Sequence, residues 1–158
     1  MPRRRRDTPP PRTGADEKAV LRGFLGYLRD SVAAKAEGVP EPQVRTPGVP
    51  SGTSLLGLVR HLTAVERFTF MGEDPGGWPG TFRPRPDETA ASILAGYRAA
   101  CAEADAVIDA CADLAQPARG GRGAPSMRWA LVHLIEETGR HAGHADILRE
   151  LADGTTGR

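Results

Sequence analysis
The chain has 158 residues, 39% of them hydrophobic and 26% charged, which suits one domain with a sizeable core and leaves too little for two. A formal net charge of +1 excludes a global field that would draw nucleic acid or an acidic substrate. No apolar run approaches the roughly 20 residues of a membrane span, and no signal-peptide core follows the N-terminal arginines. A reduced, cytoplasmic protein is the default expectation.

Residues 1–13, MPRRRRDTPPPRT, are basic and proline-rich with nothing to bury, and are expected to be a disordered leader. Four arginines (Arg3 to Arg6) are a short patch, and no basic stripe follows, so nucleic acid is not an expected partner. A first helix is predicted over residues 16–37. Asp16 and Glu17 suit its N-terminus, and Val20, Phe24, Tyr27, Leu28 and Val32 recur at three- and four-residue steps. Gly38 with Pro40 ends the run, and Gly23 and Gly26 weaken it locally. Four prolines between positions 40 and 50 make a loop, with room for a short turn near Glu41.

A second helix starts after Pro50, where Ser51 or Thr53 can cap, and continues to about Met71. Leu55, Leu58, Val59, Leu62, Val65 and Thr69 form its apolar face, with His61 on the flank and Glu66 near the middle. Buried glutamates are rare unless paired. Glu66 is therefore expected to pair with an arginine, to orient a ligand or to shuttle protons. Residues 72–86 form a long Gly/Pro-rich loop holding Trp78 and Phe82. A third helix runs from Asp87 or Thr89 to about Cys111, with Ile93, Tyr97, Ala100, Ala104, Val107 and Ile108 on one face. Cys101 and Cys111 lie about 15 Å apart along it, at 1.5 Å per residue. That is too far to bridge, and both read as buried, inert thiols. The GGRG run in the next loop lacks the lysine and the preceding strand of a phosphate loop, and reads as a flexible link.

The fourth helix spans residues 126 to about 152, ahead of a frayed tail at 155–158. At about 100° per residue, Ala130, Leu134, Glu137, His141, His144, Leu148 and Leu151 fall along one stripe, with His133 at its edge. A carboxylate at i and a histidine at i+4 stand one turn apart on the same face, which is how a helix offers two ligands to one metal ion. An unpartnered buried charge is costly, so the stripe calls for a metal, a counter-charge or a cavity.

Four amphipathic helices without a strand pattern predict an all-α, four-helix bundle over residues 14–154, with a long loop between helices two and three. Sites in such bundles are built across helices. His61, Glu137 and His141 would supply two imidazoles and one carboxylate, with positions left for water. That set suits a divalent ion: zinc foremost, or nickel, iron or manganese. Spacing alone leaves a Glu–His pair hydrogen-bonded within the core as an alternative. His144 is read as a neighbour of the ligands or part of a substrate pocket, His133 as structural, and Trp78 and Trp129 as packing residues.

The segments SGTSLLGLVRHLTAVERF and ALVHLIEETGRHAGHADILRE resemble the DinB-like superfamily of metal-binding four-helix proteins. The similarity is closest to the actinobacterial mini-circle proteins and extends from roughly residue 16 to 154. In that superfamily the metal usually sits on a histidine of helix two and an H-x-x-x-H pair of helix four. In the mycothiol-dependent maleylpyruvate isomerase branch the first member of that pair is a glutamate. The resemblance puts His61, Glu137 and His141 in the metal positions, and Glu137 agrees with the mycothiol branch. His133 and His144 are additional to the pattern.

What the resemblance implies is an enzyme whose metal activates a low-molecular-weight thiol such as mycothiol, for transfer to or isomerisation of a small electrophile. The thiolate is the nucleophile, and Glu66 or His144 would carry protons as catalytic residues. Two other readings stay open: a metal-dependent hydrolase that activates water, and a non-catalytic, metal-stabilised bundle acting through partners. A basic, polar groove around the metal favours the thiol reading, and a closed apolar lid favours a structural ion. A homodimer is compatible with the resemblance, though no surface stripe demands one.

Overall fold
Asp16 opens the first helix by accepting from the Ala19 amide, and α1 (Glu17–Ala36) ends just before Gly38, whose φ is +72°. The computed structural model describes residues 7–157, so the arginine patch at Arg3 to Arg6 lies outside the described residues. The buried side of α1 is Leu25, Arg29, Val32, Ala33 and Ala36. This corrects the expected register, because Phe24 is 38% exposed. An arginine does not read as a core residue, yet Arg29 is only 5% exposed and its ion pairs set the rotation of the helix.

The second helix is capped by Ser54, whose hydroxyl accepts from the Gly57 amide at 3.1 Å, in place of the expected Ser51 or Thr53. It runs as α2 (Leu55–Glu66) and then widens into one π-helical turn (Arg67–Met71) that closes at Gly72 with φ +73°. The predicted apolar face of α2 is buried throughout. Gly57 is needed there, since a Cβ would stand 2.3 Å from the Phe82 carbonyl oxygen, and its absence lets the following loop seat on α2.

That loop also forms a short helix the pattern did not announce, α3 (Trp78–Thr81). A Thr89–Ser92 capping box starts α4 (Ala90–Ala110). Ser126 caps α5 (Met127–Asp153), which ends at Gly154 in the left-handed conformation. Among the described residues there is no strand, only an isolated bridge between Pro117 and Ser126. No helix of the described residues is long and apolar enough to cross a membrane.

In the bundle α1 packs on α5, and α2 lies against both α4 and α5. Leu56, Leu58, Leu62, Leu131 and Leu134 are fully enclosed, each contributing about 1.5–3 kcal/mol through burial. The apolar interior forms two clusters. On α5 one cluster takes Met127 to Leu134 and the other Ala142 to Leu148, so Glu137 and His141 fall in the interval between them. Leu151, placed on the inward stripe by the sequence, is 64% exposed. The described part of the leader is held: Tyr27 Oη donates to the Thr8 carbonyl at 2.8 Å, and Thr13 lies over Gly23 where a Cβ would meet it at 3.1 Å. The tail is held likewise, by Lys35 donating to the Gly157 carbonyl.

Candidate metal centre
α5 brings Glu137 and His141 one turn apart, and α2 brings His61 opposite them. The Nε2 atoms of His61 and His141 each stand 3.2 Å from Glu137 Oε1, and the three ligand atoms lie within 4.8 Å of one another. Both imidazoles are almost entirely enclosed. The three residues that the sequence places on two helices therefore meet at one point.

The hydrogen bonds around the triad fix the tautomer of His61 and tie that of His141 to His144. Thr81 Oγ1 spends its only hydrogen on the Trp78 carbonyl, at 2.6 Å. Toward His61 Nδ1, 2.7 Å away, it can only accept, so Nδ1 carries the proton. In a neutral ring Nε2 is then a bare lone pair aimed at a carboxylate oxygen. His141 Nδ1 is paired with His144 Nδ1 at 3.3 Å, so one of these two nitrogens donates to the other. Donation by His141 leaves its Nε2 bare as well.

The titration tendencies agree with neutral rings. Burial pushes both His61 and His141 below the usual imidazole value, and Glu137 beside them only partly opposes it. Loss of hydration pushes the Glu137 carboxyl up, while an N–H or a positive charge that the imidazoles turn toward it outweighs that and holds the group below the ordinary carboxylate range. The bare Nε2 of His61 thus faces an anionic oxygen, and that of His141 joins it when His141 is the donor to His144; when His144 donates, His141 Nε2 gives its proton to Glu137. A cation resolves the repulsion at His61, and two imidazoles with a carboxylate are the ligand types a divalent transition ion takes. The donor set fits a metal.

The triad is one wall of a cavity of about 720 Å³. Phe82 stacks on the His61 ring at 3.8 Å, and Trp78 meets the same ring edge-on at 5.9 Å. Trp78 and Trp129, expected as packing residues, are 40% and 54% exposed and line the cavity. His133, expected to be structural, lines it too and stacks on Trp129 at 4.7 Å. His144 is exposed at its edge. The GGRG link contributes as well, since Gly123 and the preceding Arg119 face the same space.

Glu66 needs correction as a proton carrier. Both of its oxygens accept from Arg29, at 2.7 and 2.6 Å, and it is absent from the cavity lining. Burial pushes its carboxyl up while the guanidinium opposes that shift. Of the sequence alternatives, pairing with an arginine is the one observed. Cys101 and Cys111 are free and half-buried, and burial pushes the Cys101 thiol up to about 12, which makes it unreactive. Sequence reasoning missed Thr81, at the end of the four-residue α3, and Arg119, in a loop, neither in a segment with readable periodicity. The only hint was a polar residue three positions from a loop tryptophan.

The family model of mycothiol-S-transferase matches residues 20–154 of the chain. No curated protein matches it. Among solved structures, the crystal structure of a conserved protein from Enterococcus faecalis aligns with a TM-score of 0.64 at 15% identity. The alignment covers 90% of this chain and 100% of that one, and the likeness is one of fold.

Proposed function
The chain belongs to the mycothiol-S-transferase family, and from that premise we propose that it joins the thiol of mycothiol, or a similar small thiol, to a small electrophile beside a divalent metal held by His61, Glu137 and His141. The observation that carries this reading is the convergence of two imidazole nitrogens and a carboxylate oxygen on one point, open to a cavity. A divalent ion there supplies Lewis acidity that favours the thiolate form of a thiol beside it. Zinc is the first expectation, because two histidines and a carboxylate with a free position are ligands it commonly takes.

In the reaction the S–H bond is lost as a proton. The sulfur electron pair forms the new bond to carbon, and the leaving group departs with the electrons of the bond it breaks. His61 is held by Thr81 and His141 by His144, so each ring presents Nε2 without having to reorient. Trp78 and Phe82 shield the His61 side from bulk water, which strengthens electrostatic interactions within. His144, exposed and hydrogen-bonded to His141, is the acceptor we assign to the thiol proton on its way to solvent. A groove lined by arginines, imidazoles and aromatic rings favours thiol and substrate binding over a sealed structural ion.

Elemental analysis of the native protein is expected to find a stoichiometric divalent ion, and thermal shift is expected to show mycothiol binding only with that ion in place. A ligand that binds the folded state alone must raise its stability. Equal thiol affinity in ion-loaded and ion-stripped protein would overturn the reading.

A further inference from the structure
The charged lining of the cavity is one-sided. Arg119, Arg140 and four imidazoles face it, and Glu137 is its single carboxylate. Arg140 has a counter-charge, Glu136, at 3.4 Å. Arg119 has none among the described residues: its hydrogen bond is from Nη1 to the neighbouring Gly120 carbonyl at 3.3 Å, and its Nε is shielded from water without a partner. That nitrogen is sealed from any ligand, but Nη2 makes no hydrogen bond among the described residues, so the outer edge of a cation that lines the cavity is left for an acceptor from outside the chain.

Its position is built by its surroundings. The guanidinium carbon lies 5.5 Å over the Phe68 ring. Two glycines lie beside it, close enough for ordinary van der Waals contact from a Cβ. At Gly72, which closes the π-helical turn, a Cβ would meet Arg119 Cδ at 3.4 Å, and at Gly121 one would meet Nη1 at 3.6 Å. From Phe68 the ring contacts continue to Trp78 at 5.4 Å and from Trp78 to His61 at 5.9 Å. An aromatic wall thus leads from the unpaired cation to the triad.

We propose that Arg119 is a specificity-determining residue that binds the electrophile as an organic carboxylate, the planar body of the substrate lying along the Phe68–Trp78 wall with its reactive carbon toward the triad. The inference rests on the reading of this cavity as the place where thiol and electrophile meet. A guanidinium fork matches a carboxylate with two parallel hydrogen bonds, and it does so without competing for the metal ligands.

The test titrates the full-length protein, ion-loaded and ion-stripped, with benzoate and with its neutral analogue benzamide. The readout is the fluorescence of the chain's two tryptophans, Trp78 and Trp129, both of which line the cavity. Benzoate is expected to bind about 10-fold more tightly than benzamide. Arg119→Gln is expected to erase that preference while keeping ion content and helical content. Arg119→Lys, which keeps the charge and loses the fork, retains only part of the preference. Equal affinity of the two probes for the native protein overturns the proposal. So does a preference that survives Arg119→Gln but vanishes in His141→Ala, since the carboxylate would then sit on the triad. An Arg119-dependent benzoate preference in protein that elemental analysis finds metal-free as purified, and that retains no divalent ion when offered one, supports this inference and overturns the metal reading, so the two failures are distinguishable.

Discussion

Two clusters in this bundle each place a glutamate beside basic nitrogens, and they come to opposite ends. At Glu66 both carboxylate oxygens accept from the Arg29 guanidinium, which reaches Asp105 as well at 2.8 Å. Every strong acceptor there has a donor, so the cluster is closed. At Glu137 the neighbours are two imidazoles whose Nδ1 atoms are engaged elsewhere, and the Nε2 that His61 turns to the carboxylate carries a lone pair. That cluster is electrostatically incomplete and opens on a cavity. Acid next to base is therefore no guide to role. Who holds the protons decides whether a buried polar group is finished or waiting.

The contrast can be broken by subtraction. His141→Ala is expected to have the largest effect, abolishing ion retention through purification and transfer activity with it, while the ion-free chain still folds. Elemental analysis with far-ultraviolet circular dichroism reads both; unchanged ion content would remove His141 from the site. Arg29→Met strips the closed cluster of its donor and leaves a buried carboxylate uncompensated, with an expected loss of about 3–5 kcal/mol in urea unfolding. Ion stoichiometry should survive that change, and its loss would mean the two clusters are not independent.

Thr81→Val keeps the side-chain shape and removes the acceptor that sets the His61 tautomer. Ion affinity should fall about 10- to 100-fold, measured by competition with a chromogenic chelator. The smallest effect expected is on acidification. His61 and His141 have native pKa values below those of the unfolded chain, so the unfolded chain binds more protons as pH falls, and the depressed Glu137 acts in the same direction. The stability these groups contribute is complete above the ordinary imidazole value of about 6.5 and declines as pH drops below it. Melting of the ion-free protein across that range checks the sign, and a melting temperature that rose on acidification would contradict it.

Much of the arrangement could be read from the residues because periodicity survives where faces are apolar. Glu137 and His141 share one helix at a four-residue step, and His61 rides on a helix whose neighbours Leu58, Leu62 and Val65 are all buried. Helix ends followed from caps such as Thr89 and Ser126. What stayed hidden was decided by partners distant in the chain. Arg29 is a core residue only because Glu66, 37 positions away, receives it, and this turned α1 away from the Phe24 register. Thr81 orients His61 from the four-residue α3, too short to show a period. Trp78 and Trp129 look like packing residues until the bundle leaves a hollow between them and the triad.

His61 and Glu137 are separated by 76 positions in the chain, and the threonine that orients His61 comes from yet another segment. No stretch shorter than that span can bring the proposed ligands together, and closing so long a loop costs entropy that only a docked α5 recovers. On the proposed reading, a captured ion is then a certificate of completed folding. Nicked, truncated or half-assembled copies would pass through a preparation without one, so ion occupancy counts finished molecules more faithfully than helix content does.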